Sequence, residues 1–201
     1  MVLITAREGS KRLKNKNIRY LKGLRLVEHT LKFALKNFKR KDILLSTDSK
    51  FIRNIAIKRQ IPCPWLRPKH ISSDKATSYE VILHSVKWYE KKYGKINYII
   101  LLQPTSPFRR INTLKKCLNL SIKHKEYNIK TITEAKSRNN NKHILFCNYL
   151  CKNNGSYYIF PRSNLNKKKN YLSKNKYVFV RENIENIDID NIYDYRKALK
   201  I

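Results

Sequence analysis

Asp188 and Asp190 stand one residue apart in a chain of 201 residues that carries only 14 aspartates and glutamates against 45 lysines and arginines. In an extended segment, residues i and i+2 project to the same face, so Asp188-Ile189-Asp190 would set two carboxylates side by side. Such a pair repels itself unless a cation joins it. The ion that suits two carboxylates, with substrate phosphates completing its shell, is a hard divalent one, Mg²⁺ first among them. The residues alone leave a second arrangement open, in which Asp190 caps the last helix and Asp188 faces water.

At the other end of the chain, the apolar run Val2-Leu3-Ile4 leads through Thr5-Ala6 into Arg7-Glu8-Gly9-Ser10-Lys11-Arg12 and on to Lys16-Asn17. A buried strand thus delivers a Gly-Ser turn to its own C-terminal end, where open α/β sheets place their ligands. Glycine lets backbone N–H groups approach an anion, and Ser10 adds a hydroxyl donor. Arg7, Lys11, Arg12 and Lys16 supply charge where a polyphosphate would need it. The loop matches neither G-x-x-x-x-G-K-S/T nor G-x-G-x-x-G, so by itself it reads as a solvated basic turn.

The elements between these ends alternate. Leu26, Val27, Thr30, Leu31, Ala34, Leu35 and Phe38 recur at helical spacing. Asp42–Ser46 reads as a buried strand, and Thr47-Asp48-Ser49 offers N-cap chemistry for a helix through Phe51, Ile52, Ile55 and Ala56. Three prolines make Ile61–Pro68 an edge strand or ordered loop. A helix is predicted over Tyr79–Tyr93. Next comes the continuous apolar strand Asn97–Leu102, which ends at Gln103-Pro104-Thr105-Ser106-Pro107 and leaves Gln103, Thr105 and Ser106 displayed at its C-terminal end. A helix over Ile111–Lys123 and a strand over Ile129–Thr133 follow. The predicted hairpin pairs strands Ile144–Leu150 and Ser156–Phe160 across the turn Lys152-Asn153-Asn154-Gly155. Residues 166–176 read as a mobile loop, Tyr177–Val180 as a last strand and Ile192–Leu199 as a closing helix capped by Asp190 or Asn191. The pattern is that of a single α/β domain over 1–201 with a mostly parallel central sheet and covering helices.

Bulk composition narrows the function. With 41% hydrophobic residues and four glycines, the chain is neither disordered nor fibrous. Its net charge of +31 is of the size found in nucleic-acid binders. The lysines, however, are scattered over every predicted helix and loop together with abundant Asn and Ile, which describes a solvated basic surface and no specific nucleic acid. Cys63, Cys117, Cys147 and Cys151 lack disulfide or zinc spacing, and reduced thiols are expected. No apolar run reaches the length of a membrane span, and Met1 leads directly into a strand; a cytoplasmic protein without membrane contact is expected.

A cationic loop after the first strand, polar groups after the central strand and a carboxylate pair near the end suit nucleotidyl transfer: cations hold a triphosphate and an acceptor hydroxyl attacks in line. Covalent catalysis is not suited, because His29, His70, His84, His124 and His143 accompany no matching serine or cysteine.

Ile4–Asn17, Leu45-Ser46-Thr47-Asp48, Leu66-Arg67-Pro68, Ser73-Asp74-Lys75-Ala76-Thr77-Ser78, Leu101–Pro107, Asn154–Ile159 and Ile187-Asp188-Ile189-Asp190 occur in the order seen in acylneuraminate cytidylyltransferases. The chain resembles that family over almost its whole length. The resemblance implies a Rossmann-like, GT-A-like nucleotidyltransferase with helices on both faces of the sheet and a short hairpin arm over about 134–160. Such an enzyme joins CTP to an acidic nine-carbon 2-keto sugar, with Mg²⁺, and releases pyrophosphate. By matching position, Arg7, Ser10, Lys11 and Lys16 would hold the CTP phosphates, and Asn17, Arg67, Ala76 and Ser78 would define the cytidine pocket. Gln103, with Lys152 and Asn154, would face the sugar acid. Asp188 and Asp190 would carry the metal, one of them assisting deprotonation of the attacking 2-hydroxyl; Arg7, Lys16 and Asp190 would be the catalytic set.

The chain also departs from the family pattern. Glu8 replaces a small residue, Lys75 a threonine and Lys152 an arginine, and the segment between Thr133 and Asn154 is shorter than the family's dimerisation arm, which bears on the homodimer that the resemblance implies. The competing reading is a nucleotide- or nucleic-acid-binding relative that has lost part of the sugar site.

Overall fold

The computed structural model describes residues 1–133, 152–166, 175–179 and 184–201. Six strands form the main sheet: β1 (Val2–Thr5), β4 (Ile43–Ser46), β5 (Tyr98–Leu102), β6 (Asn128–Thr133), β7 (Lys152–Pro161) and β8 (Asn175–Phe179), in the spatial order β4-β1-β5-β7-β6-β8. β1 pairs parallel with β4 and β5, and β6 pairs parallel with β8; β7 runs antiparallel to both its neighbours. A two-stranded ribbon, β2 (Tyr20–Leu21) and β3 (Leu24–Arg25), precedes the first helix.

Both faces of the sheet are covered because its strands are apolar on both sides. On one face, Val27, Leu31 and Ala34 of α1 (Leu26–Asn37), Ile52 and Ile55 of α2 (Lys50–Lys58), and Leu114 and Cys117 of α4 (Ile111–Lys123) pack on Ile4, Leu45, Leu102 and Ile159. On the other, Ile82, Val86 and Tyr89 of α3 (Ser78–Tyr93) pack on Leu3, Leu44, Ile99 and Leu101. A third cluster joins the chain ends: Leu13, Leu21 and Leu26 meet Ile187, Ile189 and Ala198 of α5 (Ile192–Leu199).

The expected hairpin turn at Lys152–Gly155 is instead part of the single strand β7. The Asn-Gly signal is used differently. The register shifts between Lys130 and Ile132, and Gly155 takes φ +73 there, so these residues build a bulge-like irregularity within one strand and not a chain reversal. Asn154 Oδ1 accepts from the Thr131 hydroxyl and from the Ser156 N–H at 3.1 Å, which holds the irregular stretch in place. Residues 152–160 therefore belong to the central sheet and not to an arm. The expected strand Ile144–Leu150 and the cysteines 147 and 151 lie outside the described residues, whereas Cys63 and Cys117 are buried and free. The last strand begins two residues earlier than expected, at Asn175, inside the stretch read as a mobile loop.

Capping settles one ambiguity. Asn191 caps α5, accepting from the N–H groups of Tyr193 (2.8 Å) and Asp194 (3.0 Å), and this leaves the Asp190 carboxylate for other work. Thr77 caps α3 in a capping box with Glu80. Ser49 precedes α2 but makes no side-chain cap; Thr47 Oγ1 accepts its N–H at 3.1 Å, and Asp48 turns instead toward the N–H of Glu8, 2.9 Å away.

Candidate active site

One open cavity of about 620 Å³ lies at the C-terminal ends of β1 and β5, on the face covered by α3. Its size is within the range of small-molecule sites. Arg7, Ser10, Lys11, Lys16, Asn17, Arg67, Ala76, Ser78, Gln103, Asp188 and Asp190 all line it. The two ends of the chain meet across it: Lys16 Nζ is 2.9 Å from Asp190 Oδ1, and Arg12 contacts Asp190 Oδ2 at 3.5 Å.

The loop after β1 is held in shape from within. The Asn17 amide, on a 3₁₀ turn (Lys16–Ile18), donates to the Arg7 carbonyl at 2.7 Å. Across the cavity, Asp74 accepts from Arg7 at 2.6 Å and from Lys11 at 2.7 Å, and these two cations hold its carboxyl below the usual range. Arg67, 6% exposed, has its pKa lowered by burial against the partly compensating charge of Asp48, 3.5 Å away. Glu8 and Lys75 are exposed and do not line the cavity, so neither departure from the family pattern puts its charge into the site.

The carboxylate pair alternates as an extended segment requires. Ile187 and Ile189 are buried in the core, Ile189 N donates to the Thr105 carbonyl at 2.8 Å, and Asp188 and Asp190 face the cavity. Burial raises the Asp188 pKa; Thr105, Lys16 and Arg109 pull it back, while Asp190 pushes it further up. Asp188 Oδ1 is buried and has no hydrogen-bond partner among the described residues. Gly155 allows this placement: a Cβ there would lie 3.0 Å from Asp188 Cγ and 2.8 Å from Ser106 Oγ. An orphaned, desolvated carboxylate oxygen beside a second carboxylate fits a hard divalent cation. Among the described residues no group of three or more metal-ligating side chains gathers, so phosphate oxygens would have to complete the shell.

Two expected substrate contacts are not brought into this cavity. Asn154 is 1% exposed and does not line it; its amide donates to Asn186 Oδ1 at 2.9 Å and its carbonyl accepts from Ser106 Oγ at 3.2 Å. For Lys152 only the backbone, on β7 opposite Thr133, is described. Ser106, expected on display, is buried by that same bond to Asn154. Thr105, expected on display, lines the cavity, and Asp74 has no role in the sequence reading. The scarcity of acids in so basic a chain is the signal that marks Asp74.

A family model described as Cytidylyltransferase matches residues 1–201. The chain belongs to this family. The CMP-N,N'-diacetyllegionaminic acid synthase of Legionella pneumophila is 28% identical to this cytidylyltransferase over 100% of the chain and 95% of that protein. The N-acylneuraminate cytidylyltransferase of Streptococcus agalactiae is 34% identical over 66% of the chain but only 32% of its own length. Among solved structures, a CMP:2-keto-3-deoxy-manno-octonic acid synthetase complexed with CTP superimposes with a TM-score of 0.71 at 15% identity, covering 99% of this chain and 96% of that one, and so shares the fold. The α/β nucleotidyltransferase architecture expected from sequence is the one found.

Proposed function

We propose that this cytidylyltransferase transfers the cytidylyl group of CTP to a nonulosonic acid, a nine-carbon sialic-acid-like sugar, releasing pyrophosphate. The observation that carries the reading is the Lys16–Asp190 contact, 2.9 Å long, which closes one cavity between a phosphate loop and a carboxylate pair. Relatives named for legionaminic and N-acylneuraminic acids support the choice of acceptor. With CTP as donor, the cytoplasm is the compartment we assign.

Arg7, Ser10, Lys11, Arg12 and Lys16 bind the triphosphate, with Asp74 and Asp190 yielding their cations to phosphate oxygens. Lys16 is the least exposed of the four cations that pair with these acids, and in so dry a position its charge acts most strongly on the leaving pyrophosphate. Asn17, Arg67, Ala76 and Ser78 wall the side where the cytidine fits. Mg²⁺ held by Asp188, Asp190 and the phosphates would offset the charge that develops at the α-phosphate. The acceptor 2-hydroxyl, positioned by Gln103, attacks that phosphorus, and the bond to pyrophosphate breaks. The hydroxyl proton passes to a carboxylate oxygen of the pair.

Incubation with CTP, Mg²⁺ and a panel of nonulosonic acids should release pyrophosphate. Asp190→Ala should lower that rate by at least about a hundredfold while CTP-free unfolding is little changed. Intact CTP binding with no pyrophosphate from any acid would defeat the proposal.

A further inference from the structure

On the α3 face of the sheet, the strand registers align Leu101 of β5, Tyr158 of β7 and Lys130 of β6 in one row. Residues directly opposite on neighbouring strands project from the same face, and each strand adds about 4.8 Å. Leu101 lines the cavity. Tyr158 and Lys130 continue that row sideways, away from the phosphate loop and beyond the residues that line the cavity itself. Tyr158 sits near the carboxylate pair: burial, and then the charges of Asp188 and Asp190, push its hydroxyl up to about 12.

Lys130 is only 8% exposed. Among the described residues no carboxylate pairs with its ammonium, and burial alone drives its pKa below the ordinary lysine value. The phosphate-loop cations are placed differently, since Arg7 and Lys11 meet Asp74 while Arg12 and Lys16 meet Asp190. A buried charge without a counter-ion destabilises a fold. Among the described residues nothing supplies that counter-charge. An anion brought in by a ligand would supply it.

We infer that Lys130 and Tyr158 form the subsite for the carboxylate of the acceptor acid, the ammonium taking its charge and the tyrosine hydroxyl donating a hydrogen bond to it. The inference rests on the acidic-sugar reading above and deepens it. In such an acceptor the acid group and the attacking hydroxyl are carried by adjacent carbons. A charge that fixes the first also aims the second at the α-phosphate.

Lys130→Met keeps the length of the stem and removes the charge. It should raise the acceptor KM at least about tenfold, the scale of one charge-assisted hydrogen bond. The CTP KM should stay within about twofold and Tm should rise, because an unpaired buried charge is gone. A structural lysine would give the opposite sign in Tm. Lys130→Arg should restore most of the acceptor affinity, and Tyr158→Phe should weaken it by a smaller factor. The acceptor's C1 amide, which has no charge, should bind the parent much more weakly than the acid, whereas the Met variant should scarcely distinguish the two. An unchanged acceptor KM in Lys130→Met, or a lowered Tm with both substrates weakened equally, overturns the subsite while leaving cytidylyl transfer in place. No pyrophosphate from the parent with any nonulosonic acid removes the acceptor assignment, and the subsite with it.

Discussion

On the proposed function, Asp74 and Asp190 occupy, on the cations of the loop after β1, the places that substrate phosphates would take. A nucleotide must displace both. Because the Asp74 contacts are open to solvent, each is a weak competitor, so Asp74→Asn should tighten CTP binding by about two- to fivefold in calorimetry. Weaker binding would instead make Asp74 a contributor to the nucleotide site. Lys130 offers a residue-scale test in stability alone. Its folded-state pKa lies below its unfolded value, so between the two the unfolded chain holds more protons and stability rises with pH. The Tm advantage of Lys130→Met at neutral pH should therefore shrink as pH approaches 10. A constant gap would mean that Lys130 is not desolvated.

Among the elements, the bulge in β7 matters most to the site. It lets backbone at Gly155 sit against Ser106 and Asp188 with φ +73, a conformation that disfavours any side chain. Gly155→Ala should cost on the order of 1–3 kcal/mol, visible as a Tm loss of several degrees, and should also lower turnover by displacing Asp188. Full activity at reduced Tm would separate the bulge from the site. This element also shows where sequence reading stops. The uninterrupted apolar runs of β1, β4 and β5 and the helical spacing of α1 and α3 were legible because burial dictates those patterns. Asn153-Asn154-Gly155 carries the chemistry of a positive-φ backbone, which a tight turn and a bulge share, and only the pairing partners distinguish them. The antiparallel insertion of β7 between β5 and β6 has no local signature at all. The site was more legible than the topology, because the phosphate loop and the Asp188–Asp190 alternation are local, whereas the Asp74 clasp joins segments more than sixty residues apart.

For the molecule as a whole, the charge of +31 and the cavity belong to different regimes. Surface lysines act through water and are screened beyond about 10 Å at 0.1 M salt. The cavity cations act at contact distance. Raising KCl from about 50 to about 300 mM should abolish retention on heparin or RNA, while the CTP KM rises by less than about tenfold. Salt-resistant RNA binding would point to a dedicated surface. The sheet brings residues 174 positions apart to within 2.9 Å, at Lys16 and Asp190. On the proposed function, a growing chain has no complete catalytic centre until Asp190 has been added and has met Lys16. Fragments that stop short of Asp190 should therefore leave the cavity open on that side and release no pyrophosphate from CTP, even where the rest of the sheet has formed.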